Sequence, residues 1–271
     1  MARVPLTLLV MARNEAHQLG RCLDSVPFAD EKIVVDSGSR DRTREVAVAH
    51  GARVVDQPWL GFGPQRNHAS SLARNDWILF LDADEELSPA LAEEIEARLP
   101  ALEEEGKAGA WLLRSASYMG RPMRFYRPLV GEKQGRLYHR GRARWTDVRV
   151  HETMVFGGPA ETLRAPFLHH QSPTLVHQSL KTLRYGELKA QTRVDAGKPP
   201  GIWALPLVFL AAFVRDYLFR LAFLDGWRGL AVAWQDASYA AYQRLRAYEL
   251  TVNPASRSEA ARALEQHGLD D

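Results

Sequence analysis

The chain has a single cysteine, Cys22, among its 271 residues, so no intramolecular disulfide can staple it. Cys22 falls on the apolar face of a predicted helix and reads as core; reducing surroundings fit this usage. Charge is nearly balanced, with 35 Lys and Arg against 33 Asp and Glu, a net of +2. That excludes the strongly basic signature of a nucleic-acid-binding protein. Long apolar runs are also missing. The longest, Ile202 to Val214, is broken by Pro206 and falls short of the roughly 20 residues that span a bilayer. Met1 to Met11 reads as a strand rather than a secretory leader. No internal repeat or low-complexity tract occurs. Neither a G-x-x-x-x-G-K-[ST] loop nor a G-x-G-x-x-G turn follows the first strand, which argues against the two commonest glycine-rich phosphate cradles.

What is present is an ordinary globular composition, 46% hydrophobic and 25% charged, enough to bury a sizeable core. The first hundred residues alternate apolar strands with one-faced helices. Strands are predicted at Leu6 to Met11, Lys32 to Asp36, Ala52 to Asp56 and Trp77 to Leu81. Short connections between them imply a mostly parallel sheet with right-handed crossovers and helices on both faces.

The stretch Trp77 to Pro89, WILFLDADEELSP, organises this pattern. A buried strand gives way to Asp82, Asp84, Glu85 and Glu86, and Ser88-Pro89 then caps a helix. Ligands of open α/β sheets bind at the carboxyl ends of strands. Asp82 and Asp84 can share one hard divalent cation there, with substrate phosphates completing its shell. Two further polar clusters end earlier strands: Arg13-Asn14-Glu15 and Asp36-Ser37-Gly38-Ser39. Each alone could be a helix cap, an Asx-turn or a solvated acidic loop. Together on one rim they describe a site.

Four motifs, ARNE (12–15), VVDSGSRDRT (34–43), QRN (65–67) and FLDADE (80–85), in this order and spacing, resemble the family-2 glycosyltransferases. The resemblance implies a GT-A fold and a nucleotide-sugar donor. It places Ala12, Asn14, Glu15, Asp36, Arg66, Asn67, Asp82 and Ala83 at the donor, with Glu15 and Asp36 at the nucleoside. Asp84 with Asp82 would hold Mg²⁺ or Mn²⁺ on the diphosphate. Ser37 departs from many members, which carry a second aspartate there, and leaves Asp36 as the only acid of its turn.

Between Arg114 and Arg149 lie nine arginines and Lys133 against only Glu132 and Asp147. This is either a solvated basic face or a surface for phosphates. Val148 to Phe156 reads as a strand carrying His151-Glu152. A carboxylate inside an apolar strand is costly unless it is partnered. Glu152 is the candidate base for an acceptor hydroxyl; a salt bridge to neighbouring arginines is the structural alternative. The VHE triplet resembles that of the bacterial lipopolysaccharide core β-1,4-glucosyltransferases. Of the adjacent His169 and His170, only one can face a given metal, since neighbours on an extended chain point oppositely. The H-x-S spacing of similar sequences favours His170, with His169 in reserve.

The C-terminal third is helical by pattern. Residues 202–223 are either a core or homo-oligomer helix, or a helix lying in a membrane interface. FLDGWRGL (223–230) again resembles the core-glucosyltransferase subgroup, which acts on lipid-anchored acceptors, and favours the interfacial reading. The expected organisation is therefore a GT-A catalytic domain over 1–173, with a donor half (1–100) and an acceptor half (101–173). A helical extension follows over 174–271. The expected activity is inverting, metal-dependent transfer of a hexose, glucose from UDP-glucose by resemblance, to a lipid-linked saccharide such as the lipopolysaccharide inner core. The expected place is the cytoplasmic face of the plasma membrane, as a peripheral protein. Transfer to a polyprenyl phosphate or another envelope glycan is the neighbouring alternative. A non-catalytic membrane-associated nucleotide-sugar-binding protein is the alternative of another class.

Overall fold

The structure is a computed structural model that describes residues 3–128, 130–146, 153–170, 175–197 and 201–266. Its elements begin with β1 (Leu6–Ala12), α1 (Leu19–Asp24), β2 (Glu31–Asp36), α2 (Thr43–Ala49), β3 (Arg53–Asp56), α3 (Phe62–Ser71) and β4 (Trp77–Asp82). Then come β5 (Glu85–Leu87), α4 (Pro89–Glu104), β6 (Gly109–Tyr118), β7 (Arg121–Pro122), β8 (Val130–His139), β9 (Ala143–Trp145), β10 (Met154–Phe156) and β11 (Ala160–His169). Among the described residues, the α-helices that follow are α5 (Leu175–Asp195), α6 (Leu205–Val214), α7 (Trp227–Val252) and α8 (Ser256–Gln266). The chain divides into two compact units, Met1–Ala116 with Gly131–His170, and Ser117–Val130 with Gln171–Asp271.

The first unit is built on a sheet in the order β3-β2-β1-β4-β8-β6-β11-β5. The ladders β1–β2, β1–β4, β2–β3 and β6–β11 are parallel, while β4–β8 and β5–β11 are antiparallel. The predicted mostly parallel sheet is thus present. Alternation along β1 sets the two layers. Leu8 and Val10 pack with Leu19, Leu23, Leu91 and Ile95 of α1 and α4, whereas Leu9 packs with Ala69 of α3. Helices therefore cover both faces, and Cys22 is buried in the first layer as expected.

One feature differs from the pattern read along the chain. Glu85–Leu87 is a short strand rather than an acidic loop, because it adds antiparallel to β11 with His169 opposite Glu85. Helix α4 continues through Pro100; Leu99 and Leu102 on either side are buried, which favours continuation over the local proline cost. Ser88 caps α4 as predicted, its side chain accepting from Leu91 N at 3.2 Å. Of the predicted strand at Val148 to Phe156, Met154–Phe156 is a strand paired with β9, Thr153 precedes it outside the strand, and residues 148–152, with Glu152, lie outside the described residues.

In the second unit α5, α6 and α7 pack together. Arg246 is buried against Glu187 and Ser256, at 2.5 and 2.9 Å, joining α7 to α5 and α8. Segment 117–130 belongs to this unit: Tyr126 donates to Asp236 at 2.6 Å, and Asp225 accepts from the backbone N–H groups of Arg124, Phe125 and Tyr126.

Candidate active site

The parallel register places Ala12 beside Asp36 and Met11 beside Asp82, so the strand ends that carry the motifs are neighbours. The loops after β1 and β2 are sewn together. Asn14 N donates to Ser39 Oγ at 2.9 Å, and Asn14 Oδ1 accepts from Arg40 N at 2.8 Å. Glu15 N donates to Thr43 Oγ1 at 2.8 Å. Asn14 adopts the left-handed backbone, φ 57°, a conformation that asparagine tolerates better than most residues. Ala12 and Ala83 are buried.

Asp36 is 0% exposed. Its Oδ2 accepts from Gly38 N, Ser39 N and Arg44 Nε at 3.2, 3.1 and 2.7 Å, and its Oδ1 accepts from Ser39 Oγ. Its oxygens are therefore engaged by its own loop, as in an Asx-turn. Burial pushes the carboxyl up, but the hydrogen bonds from Ser39 and Arg44 outweigh it and hold the group below its ordinary value. A carboxyl depressed in this way stabilises the fold above its unfolded pKa of about 3.9, and that stability is lost as pH falls through the folded value. Asp36→Ala is expected to lower stability by about 1–3 kcal/mol at neutral pH, because the Gly38 and Ser39 N–H groups lose their acceptor. Urea denaturation should show the gap to the native chain closing in acid.

The D-x-D carboxylates have different partners. Asp82, with 31% of its side chain exposed, accepts from Arg136 Nη2 at 2.6 Å and from Arg66 Nη2 at 3.4 Å. Arg136, 4% exposed, also reaches Glu85 Oε1 at 2.5 Å, and Glu85 is 2% exposed. Arg66 lies over the rings of Trp145 and Phe80, at 4.4 and 4.8 Å to the centroids. Burial would raise Asp82, but the guanidiniums of Arg136 and Arg66 hold it well below the usual carboxylate range. Glu85 is raised by burial and by Asp82 despite Arg136. Asp84 instead faces an imidazole, its Oδ2 lying 3.0 Å from His169 Nε2, and no guanidinium pairs with it among the described residues.

The two histidines meet different carboxylates: His169 Nε2 lies 3.0 Å from Asp84 Oδ2, and His170 Nε2 lies 3.1 Å from Glu86 Oε1. Pairing of β5 with β11 sets His169 opposite Glu85. Asn67 grips the backbone of Trp145: its amide accepts from Trp145 N and donates to Trp145 O, each at 3.0 Å. Arg136 was not singled out from the arginine-rich stretch. The signal that could have found it is a charge set beside Leu137-Tyr138 in a strand, where burial demands a partner.

Among the described residues no three His, Cys, Asp or Glu side chains converge as a complete metal cage. A carboxylate and an imidazole facing each other nonetheless suit a divalent cation that takes its remaining ligands from phosphates and water. Asp84 is the better ligand of the D-x-D pair, since Asp82 is already compensated by two guanidiniums.

Residues 7–156 match the family model described as Glycosyl transferase family 2. Over 269 residues the chain is 31% identical to an uncharacterized glycosyltransferase of Rickettsia bellii, covering 94% of this chain and 90% of that protein. It is 30% identical over 263 residues to the lipopolysaccharide core biosynthesis glycosyltransferase LpsC of Rhizobium meliloti, covering 91% and 93%. Among solved structures, S. aureus TarS in complex with UDP-GlcNAc aligns over 93% of this chain and 92% of that chain, with 12% identity and a TM-score of 0.48. Sheet, rim motifs and full-length relatives agree, and the chain belongs to glycosyltransferase family 2.

Proposed function

We propose that this glycosyltransferase moves a hexose, glucose from UDP-glucose, onto a hydroxyl of a lipid-linked saccharide such as the lipopolysaccharide inner core, with inversion. The name of LpsC supports the acceptor class. The observation that carries the reading is the Asp84–His169 pair, 3.0 Å apart at the end of β4, with an uncompensated carboxylate. Asp84 and His169 would hold Mn²⁺ or Mg²⁺. When bound, that cation neutralises charge on the departing diphosphate. Arg66 and Arg136 hold Asp82 ionised and in place. The loop of Asn14, Glu15 and Asp36 shapes the nucleoside end.

Glu152 takes the proton of the acceptor hydroxyl as that oxygen attacks the anomeric carbon. One base suffices, because a diphosphate needs no general acid to leave. The flanking Thr146 and Thr153 are hydrogen-bonded to each other, Thr153 N donating to Thr146 Oγ1 at 3.0 Å. Next to Thr146 is Trp145, whose ring lies beneath Arg66. The protein would act at the cytoplasmic face of the plasma membrane as a peripheral enzyme.

The test is transfer from labelled UDP-glucose to a lipid-linked core saccharide, with the anomeric configuration of the product read by NMR. Retained configuration would refute the single displacement. Glu152→Gln is expected to slow transfer at least 100-fold, the lower end of what a positioned base contributes, while UDP affinity stays within about twofold. Near-normal turnover would remove Glu152 as the base.

A further inference from the structure

Helices α5, α6 and α7 of the second unit enclose a groove of about 390 Å³. Arg193, Arg215 and Arg244 line it, over a floor that includes Val208, Ala211 and Ala212. The charges do not balance. Arg215 pairs with Asp216, at 2.7 and 3.0 Å, but Asp216 is 0% exposed and is shared with Arg220 at 2.7 Å. Arg193 and Arg244 have no carboxylate partner among the described residues. Three guanidiniums around an apolar floor call for an anion, and arginine forks fit phosphate oxygens bidentately.

The same helical stretch presents a large apolar surface. Trp203 is 93% exposed, Leu207 69%, Phe219 73% and Trp227 67%. Residues Ile202–Phe219 are long and apolar enough by composition to cross a membrane, with a mean hydropathy of 1.7 over 18 residues. Their other face, however, is packed against α7. Ala212 is buried, and Phe209 and Phe213 meet Trp234 with ring centroids 5.0 and 6.4 Å apart. Further along, α7 carries Arg244, Arg246 and Glu249, so the helix pair cannot sink into hydrocarbon as a unit. Tryptophan and leucine outside, with arginines at the edge, is the chemistry of an element lying in the headgroup layer.

We propose that this groove binds the phosphate headgroup of an anionic lipid while the exposed face of α6 rests in the bilayer surface. Free phosphate would satisfy the arginines but leaves the apolar face without a role; an anionic lipid accounts for both. This deepens the peripheral-membrane part of the proposed function by naming the headgroup site.

The experiment is co-sedimentation of the full chain with vesicles of phosphatidylcholine alone and of phosphatidylcholine mixed with phosphatidylglycerol. The native chain is expected to favour the anionic vesicles. Each arginine near an anionic surface is worth about 1 kcal/mol, a factor of about five. Arg193→Gln with Arg244→Gln should therefore weaken anionic binding roughly 30-fold and leave the weak neutral binding unchanged. Leu207→Ser with Leu210→Ser should weaken both. If the double arginine variant binds anionic vesicles like the native chain, the headgroup site is wrong although the peripheral reading stands. If the native chain binds neither vesicle, both are wrong. Displacement of the native chain from vesicles by millimolar inorganic phosphate, without a matching effect of chloride at equal ionic strength, would show the groove to be a free-phosphate site and overturn the lipid assignment. UDP binding by the same variants should be unchanged, which separates these outcomes from a failure of the donor site.

Discussion

Asp84→Ala is expected to slow sugar transfer by about three orders of magnitude, while the chain keeps its fold. The size follows from the several kcal/mol that a Lewis acid contributes to a charged transition state. The fold should survive because Asp84 is partly exposed and its side chain pairs with His169, not with a buried cation. Asp82→Ala is a useful contrast: it strips Arg66 and Arg136 of a shared acceptor and should cost stability as well as rate. The measurement is turnover at saturating Mn²⁺, with the melting temperature recorded for each variant. Isothermal titration with UDP should show that Mn²⁺ strengthens binding to the native chain and not to Asp84→Ala. A variant that retains most of its turnover, or the same manganese-dependent gain in UDP affinity, would show that Asp84 does not hold the cation.

Arg136→Met is expected to be the most destabilising single change in the first unit. Methionine keeps much of the length and the apolar stem, and removes the charge. Asp82 and the buried Glu85 are then left facing each other with Arg66 alone, more distant, as counter-charge. Removing one partner of a buried ion pair costs about 3–5 kcal/mol, or roughly 10 °C in a domain of this size. The pH dependence has a definite sign. Asp82 is held below its unfolded pKa by Arg136, so its contribution is present above about pH 3.9 and falls away in acid. Glu85 is already raised, and without Arg136 it rises further, so its penalty at neutral pH is relieved on protonation. The native chain and the variant should therefore differ most near neutral pH and converge only as pH falls well below about 4, toward the depressed folded value of Asp82. Equal melting temperatures at pH 7 would mean that the network is solvated and the pairing weak.

The alternating strands and helices of the first hundred residues were legible because each strand is an apolar run ending in polar residues. β1, β2, β3 and β4 fall within a residue of their expected positions. β5 was not legible, since Glu85-Glu86-Leu87 becomes a strand only through pairing with β11, some eighty residues away. His169 meets Asp84 and His170 meets Glu86, partners that strand alternation alone does not name. Asp36 was legible as the acid that ends β2, whereas its four donors, from the Gly38-Ser39 turn and from Arg44 of α2, are shown only by the structure. Arg136 illustrates the limit most clearly. Arg114, Arg121, Arg136 and Arg144 of its stretch all lie in strands, and neither composition nor spacing says that Arg136 is the one buried against Asp82 and Glu85. The unbalanced groove among α5, α6 and α7 depends on how three helices pack, which their separate periodicities do not reveal.

Asn67 grips both the amide and the carbonyl of Trp145, so α3 and the β9–β10 hairpin travel as one rigid piece. Displacing either without the other would break two hydrogen bonds, about 2 kcal/mol, and would also slide the indole from under Arg66. Any displacement of β9 would thus be felt at the guanidinium that steadies Asp82.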